Sequence, residues 1–240
     1  MSKIALVTGG TRGIGESISK LLNANNYKVI ASYNSNDDAA NKFSEINNIE
    51  IMKWDVSSFD ESKSAIEKIK SNYNKIDILI NNAGITKDAP LHKMKKEDWD
   101  AVINVNLNSV FNLTSNVIND MRANGFGRII HISSVNGQKG QFGQTNYSAT
   151  KSALQGFSKS LALESASKGI TSNVIAPGYI NTEMVAAIRE DILKNIIDTI
   201  PSKRLGESNE IAEMVLYLIS EKASYINGAT LSINGGLYMD

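Results

Sequence analysis

The chain of 240 residues has no cysteine, only two histidines and three prolines, and no excess of either charge, with 25 Lys plus Arg against 25 Asp plus Glu. Each shortage removes a class of function. Without thiols there is no disulfide framework, no thiolate zinc or iron–sulfur site and no cysteine nucleophile. His92 and His131 are too few for a His-rich metal centre, so no metal site is expected. Zero net charge leaves no basic footprint for nucleic acid. No apolar run approaches the roughly 18 residues of a membrane span. The first ten residues carry too short an apolar run for a signal peptide. The expectation is a cytoplasmic enzyme with polar, sulfur-free chemistry.

What is present is a globular composition, 42% hydrophobic, with 17 Gly. Asn makes up 27 residues, more than one in ten, and two N-x-Ser/Thr sequons, at Asn112 and Asn146, are expected by chance in such a chain. At roughly 150 residues per domain the length allows one large domain or two small ones. Short apolar runs alternate with helical patterns along the whole length. Strands are expected at Ile4–Val7, Lys28–Ser32, Ile49–Trp54, Ile76–Ile80, Arg128–Ile132, Ser172–Ala176 and Ala229–Ile233. Between them come helical faces: Ile14, Ile18, Leu21 and Leu22; then Ala39, Phe43 and Ile46; then Ala65, Ile66, Ile69 and Tyr73. Ser58 and Glu61 form a capping-box signature for the third. Later helices carry Trp99 to Met121, then Leu154, Phe157 and Leu161 within 147–167, then Ile211, Val215 and Leu218. Such alternation means βαβ units and a parallel sheet covered on both faces. The expected fold is a doubly wound, Rossmann-type, seven-stranded parallel sheet in one domain over 1–240. Tyr179–Pro201, with its own pattern of Met184, Ile188 and Ile192, is a candidate lid over the carboxyl ends of the strands.

Two motifs carry chemistry. Gly9, Gly10, Gly13 and Gly15 follow the first strand and open the first helix, a setting that lets backbone approach a pyrophosphate. The second strand ends Ala31-Ser32-Tyr33-Asn34-Ser35 without the acid that usually binds a ribose 2′-hydroxyl. Arg12 in the glycine loop and Asn34 favour a 2′-phosphate and hence NADP(H); the bland alternative makes Arg12 a solvated loop charge. The second motif pairs Tyr147 with Lys151, four residues apart on one helix face. A nearby ammonium lowers a phenol pKa and enables proton transfer. Tyr-x-x-x-Lys alone is commonplace; its position after a strand ending at Ser134 singles it out. His131, mid-strand, is expected to be a satisfied core residue, and Asn81 is open between a cleft role and sheet-end polarity.

Taken together the chain resembles the short-chain dehydrogenase/reductase family. Thr8-Gly9-x-x-x-Gly13-x-Gly15, Asn81-Asn82-Ala83-Gly84, Asn106, Ser134, Tyr147-x-x-x-Lys151 and Pro177-Gly178 occur in family order over essentially the whole length. Within the family it is similar to 3-oxoacyl reductases, above all the acetoacetyl-CoA reductases of polyhydroxyalkanoate synthesis. That likeness rests on the run from Ser134 to Tyr147, on Pro177-Gly178-Tyr179-Ile180, on Ile200–Gly206 and on Asn234-Gly235-Gly236-Leu237. The resemblance implies NADPH-dependent reduction of acetoacetyl-CoA to (R)-3-hydroxybutyryl-CoA. Reduction of 3-oxoacyl groups on acyl carrier protein is the alternative, with Arg122, Arg128 and Lys168 available for an acidic partner. A non-catalytic nucleotide-binding protein is the remote third reading.

The resemblance also implies roles. Tyr147 donates a proton, Ser134 binds the carbonyl oxygen, Lys151 binds the nicotinamide ribose and lowers the Tyr147 pKa, and Asn106 holds a water. Gly9, Thr11, Arg12, Gly13, Ile14, Gly15, Asn34, Asp55, Val56, Asn82, Ala83, Gly84, Pro177, Gly178, Ile180 and Thr182 border the cofactor. Asp88, Gln141, Gln144, Tyr179 and Arg189 contact the acyl-thioester substrate, with Lys87, Lys93 and Lys139 as a basic rim. A homotetramer is the implied assembly.

Overall fold

Strand and helix alternate from the first residues onward. The computed structural model describes residues 2–186 and 189–239. β1 (Ile4–Val7), α1 (Gly13–Ala24), β2 (Lys28–Tyr33), α2 (Asp37–Asn47), β3 (Glu50–Lys53), α3 (Phe59–Tyr73) and β4 (Ile78–Asn81) form the first half. α4 (Lys96–Ile103) runs through a π-helical turn, Asn104–Asn108, into α5 (Ser109–Asn124), then β5 (Gly127–Ile132). α6 (Val135–Lys139), α7 (Thr145–Ser165), β6 (Ile170–Pro177), α8 (Glu183–Ala186), α9 (Glu190–Thr199), α10 (Ser208–Ile219) and β7 (Thr230–Ile233) complete the chain. The sheet order is β3-β2-β1-β4-β5-β6-β7, every pair parallel. The order reverses between β1 and β4, which opens a crevice at the carboxyl edge. No helix of the described residues is long and apolar enough to cross a membrane.

Every residue of β1, β4, β5 and β6 is buried. A parallel sheet covered on both faces requires this, and it explains why these strands are continuous apolar runs rather than alternating ones. One face packs Ala5, Val7, Ile78 and Ile80 against Ile18, Leu22, Phe43, Ile211 and Val215 of α1, α2 and α10. The other packs Leu6, Leu79 and Ile129 against Ile66, Ile69, Leu113, Val117 and Leu161 of α3, α5 and α7.

Two local expectations are corrected. α2 turns Ala40 and Phe43 inward, whereas Ala39 is exposed and Ile46 is 69% exposed. The capping box at α3 is only half made: Ser58 Oγ accepts from Glu61 N at 3.2 Å, but the Glu61 carboxylate takes the Asp55 N–H at 2.9 Å. Ser58 N instead donates to Asp55 O, so its hydrogen bond is already spent. Both sequon asparagines are buried: Asn112 donates to Val56 O and Ser57 O, and Asn146 to Lys87 O. Of the pattern within 179–201, Ile188 and the side chain of Met184 lie outside the described residues. The ends of this insertion are joined by an isolated bridge, Ile180 to Gly206, in which Asn181 N donates to Gly206 O and Gly206 N to Tyr179 O.

Candidate active site

The glycine loop is fastened to the neighbouring strand end before any ligand need be considered. Thr8 Oγ1 donates to Ile80 O and accepts from Asn82 N and Ala83 N, both at 3.0 Å. Asn82 Nδ2 returns to Thr8 O at 2.8 Å and Gly9 O at 3.1 Å. Ser32 Oγ accepts from Gly9 N, and Ser19 Oγ donates to Gly10 O. Gly15 is required here, because a Cβ would run into the Gly9 carbonyl oxygen. α1 starts at Gly13 after Arg12, which makes no side-chain cap. Its first N–H groups therefore face the loop with no side-chain partner, the usual geometry for an anion. Thr182 lies over Gly13, so the strand-six turn meets the glycine loop.

Around this edge the expected residues take different positions. Thr11 and Ile14 are half-buried, and Arg12 and Asn34 are exposed, with no ion pair to Arg12 among the described residues. Asp55 Oδ1 accepts from Ser57 N and Oγ, closing an Asx turn beside buried Val56. Pro177 pairs with Ile233, Gly178 N donates to Ile233 O, and the Ile180 side chain packs in the core. Asn81 Nδ2 meets His131 Nδ1, whose ring reaches Ser172 Oγ through Nε2, and Ser172 meets Ser158. Asn81 is thus a sheet-interior partner of His131, and burial holds that imidazole down at about 3.

The catalytic candidates converge where β5 meets α7. Ser134 caps α6, its Oγ accepting from Asn136 N at 3.1 Å. Ser133 Oγ donates to Lys151 O and Lys151 Nζ to Ile132 O, both at 2.7 Å, which locks α7 onto the strand. Burial pushes the Tyr147 phenol up to about 12, against a hydrogen bond from Ser134; the Asp88 charge and Tyr179 add to the rise. Burial brings the Lys151 ammonium down to about 8. The expected depression of Tyr147 by Lys151 is therefore corrected. Lys151 Nζ is turned to a backbone carbonyl and stands 5.6 Å from the Tyr147 ring centre, and burial dominates the phenol.

Gly84 leaves room for two of these groups, since a Cβ there would lie 3.4 Å from both Lys151 Nζ and Asn106 Oδ1. Asn106 sits in the π-helical turn, a distortion often found at functional sites. Its amide is already engaged: Oδ1 accepts from Ile85 N, and Nδ2 donates to Ile85 O and to Thr150 Oγ1. Asp88 and Gln144 are brought together, Gln144 Nε2 donating to Asp88 Oδ2 at 2.8 Å. Gln141 instead accepts from Lys139, and exposed Arg189 is bound through Nε and Nη2 to Asp191. Sequence reasoning gave no role to Thr8, Asn136 or Asn146. Asn136 carried one usable signal, its place two residues after a Ser that ends a strand, where a helix is capped.

The family model for short chain dehydrogenases matches residues 3–193. The chain belongs to the short-chain dehydrogenase family. It is 55% identical over 239 residues to the acetoacetyl-CoA reductase of Shinella zoogloeoides, covering 99% of each chain. It is 52% identical to the acetoacetyl-CoA reductase of Rhizobium meliloti, again over 99% of each. It is 46% identical to the 3-oxoacyl-acyl-carrier-protein reductase of Salmonella typhimurium, over 99% of this chain and 98% of the relative. In this short-chain dehydrogenase, then, the crevice at the sheet's switch point, the uncapped helix start and the Ser134–Tyr147–Lys151 cluster share one edge.

Proposed function

We propose that the protein is an NADPH-dependent reductase of short 3-oxoacyl thioesters that converts acetoacetyl-CoA to (R)-3-hydroxybutyryl-CoA. The observation that carries this reading is the meeting of Ser134, Tyr147 and Lys151 beside the uncapped start of α1. The residues fit a phosphorylated dinucleotide. Gly9 and Thr11 to Gly15 offer backbone N–H groups to a pyrophosphate. Exposed Arg12 and Asn34 take a 2′-phosphate, Asp55 and Val56 border the adenine, and Asn82 to Gly84 line the cleft. Pro177, Gly178, Ile180 and Thr182 border the carboxamide. Bound NADPH supplies a hydride for the carbonyl carbon.

The chain supplies the rest. The Ser134 hydroxyl already accepts from Asn136 N, and the one hydrogen it can give, directed at Tyr147 in the cleft, passes to the carbonyl oxygen when substrate is bound. Tyr147, kept protonated by burial, gives its proton to that oxygen as the C=O bond becomes a C–O single bond. The resulting phenolate lies beside the Lys151 ammonium, whose Nζ stands 5.6 Å from the ring centre. Lys151 holds the nicotinamide ribose, and Asn106 braces the Ile85 turn beneath it. Asp88, Gln144 and Tyr179 stand at the substrate mouth, and Gln141 and Arg189 lie on its rim. Residues 179–201 serve as the lid.

A carrier-protein substrate is less well supplied. Of three cations available for an acidic partner, Arg128 is 2% exposed and Arg122 is bonded to Glu164 O. Steady-state rates should give a higher kcat/KM with acetoacetyl-CoA than with acetoacetyl carrier protein; the opposite order overturns the substrate choice. Phe111 on α5 and Leu163 on α7, 57% and 87% exposed, support a homotetramer, which a monomeric native mass would remove.

A further inference from the structure

The turn that carries Ser134 and the turn that carries Tyr147 come from different segments, yet one set of hydrogen bonds ties them together. Residues 87–89 are laced to 143–146 by three consecutive rungs. Asn146 Nδ2 donates to Lys87 O at 2.9 Å, Gln144 Nε2 to Asp88 Oδ2 at 2.8 Å, and Ala89 N to Gly143 O at 2.9 Å. Gln144 sits at the N-cap of α7, and Ser148 N donates to its backbone carbonyl at 2.7 Å, so its main chain belongs to the first turn that holds Tyr147. Its side chain points the other way, accepting from Asn136 Nδ2 at 3.0 Å. Asn136 N in turn donates to Ser134 Oγ at 3.1 Å.

The direction of this chain is forced. A carboxylate only accepts, so the Gln144 NH2 must face Asp88 and its carbonyl must face Asn136. Asn136 then has to present its own NH2, and its Oδ1 is left buried without a partner. A buried acceptor without a donor is unfavourable and rare in folded proteins. Its presence here follows from the orientation that Asp88 imposes two side chains away.

We propose that Gln144 and Asn136 are positioning residues that set the Ser134 hydroxyl against the Tyr147 phenol, and that Asp88 fixes the sense of their hydrogen bonds. This deepens the reductase reading and rests on it. It also differs from a role for Asp88 and Gln144 as contacts to the thioester arm. By holding one lone pair of Ser134 on the Asn136 N–H, the relay leaves Ser134 as a donor toward the carbonyl oxygen. Small misplacements of such a donor cost large factors in rate.

The test uses the full-length protein with NADPH and two ketones: acetoacetyl-CoA, and ethyl acetoacetate, which lacks the coenzyme arm. Gln144→Met, which removes both side-chain links without adding charge, should lower kcat at least about 10-fold on both ketones. KM for ethyl acetoacetate and the Kd for NADPH should stay within about two-fold. Asn136→Asp leaves Gln144 between two acceptors and should lose kcat similarly. Adding Asp88→Asn to Asn136→Asp reverses both side-chain links while the main-chain N–H of residue 136 still donates to Ser134, and the double variant should return to within about three-fold of wild type. Loss confined to KM for acetoacetyl-CoA, or a double variant no better than Asn136→Asp, overturns the relay. If Asn136→Asp does not fold, the Gln144→Met split between the two ketones decides alone. A wild type that reduces ethyl acetoacetate but not acetoacetyl-CoA overturns the substrate reading and leaves the relay to be judged on the ester. A wild type inert on both overturns the two together.

Discussion

Lys151 shows at single-residue scale how function and stability pull apart. Its ammonium is buried, and its folded pKa near 8 lies below the ordinary value of 10.5. Between those values the unfolded chain holds a proton that the folded chain has released, so stability rises with pH across that window. Below pH 8 the buried charge costs about 3 kcal/mol, at roughly 1.4 kcal/mol per pKa unit. Lys151→Met keeps the stem and loses the charge. Urea unfolding at pH 7 should show this variant at least as stable as wild type, with the advantage shrinking toward pH 10.5, while ketone reduction falls at least about 100-fold. A variant less stable at pH 7 would refute the account. Tyr147 titrates the other way: its phenol, at about 12, stays protonated over the working range, so the alkaline fall in kcat/KM belongs to Lys151 and should centre near pH 8.

At the scale of elements, the proposed reading of cofactor choice rests on one strand end and one helix start. The carboxyl end of β2 offers Asn34 and Ser35, exposed and neutral, and the start of α1 offers exposed Arg12. Arg12→Ala combined with Asn34→Asp removes the cation and supplies a carboxylate for a ribose hydroxyl. The ratio of kcat/KM for NADPH over NADH should fall about 100-fold or more, since charged hydrogen bonds contribute about 1.5–3 kcal/mol each. An unchanged ratio would mean that neither side chain reads the 2′-phosphate. These elements were largely legible in the sequence, because a parallel sheet buries its central strands completely and leaves unbroken apolar runs such as Ile78–Ile80. The misreadings came where a helix has a narrow buried stripe. α2 buries only Ala40 and Phe43, so a one-residue error in phase put Ala39 and Ile46 inside. The site was legible as a set of residue types, but not as a wiring diagram. Nothing near Asp88 announces Gln144, 56 residues away, whereas the Arg189–Asp191 pair spans only two residues. Likewise the depressed phenol expected from Tyr-x-x-x-Lys depended on where the Lys151 tip turns, which spacing alone does not fix.

At the scale of the whole molecule, a polar chain crosses the sheet interior from Asn81 on β4 through His131 on β5 to Ser172 on β6 and Ser158 on α7. Being buried and neutral, His131 makes the fold acid-sensitive in a defined range. Its folded pKa of about 3 lies below the ordinary 6.5, so below pH 6.5 the unfolded chain binds a proton that the folded chain refuses. Stability should fall by roughly 2 kcal/mol between pH 6.5 and 5. His131→Gln should flatten that limb in chemical denaturation, and an equal slope in the variant would assign the loss to other groups. The insertion after β6 carries a different consequence. Its two ends are clasped at Ile180 and Gly206, and α9 buries none of its residues. Ile200 is buried and Ser202 N donates to Gly235 O, so the described contacts of this insertion with the core lie toward its ends and not in α9. Trypsin should nick at Arg189 or Lys194 and leave a folded, NADPH-binding body that no longer reduces the thioester, whereas global collapse on nicking would contradict this. With this insertion as the proposed lid, a part clasped at its ends can change in length or shape while the body that holds it stays the same, and the acyl groups accepted would drift while the reaction stays fixed.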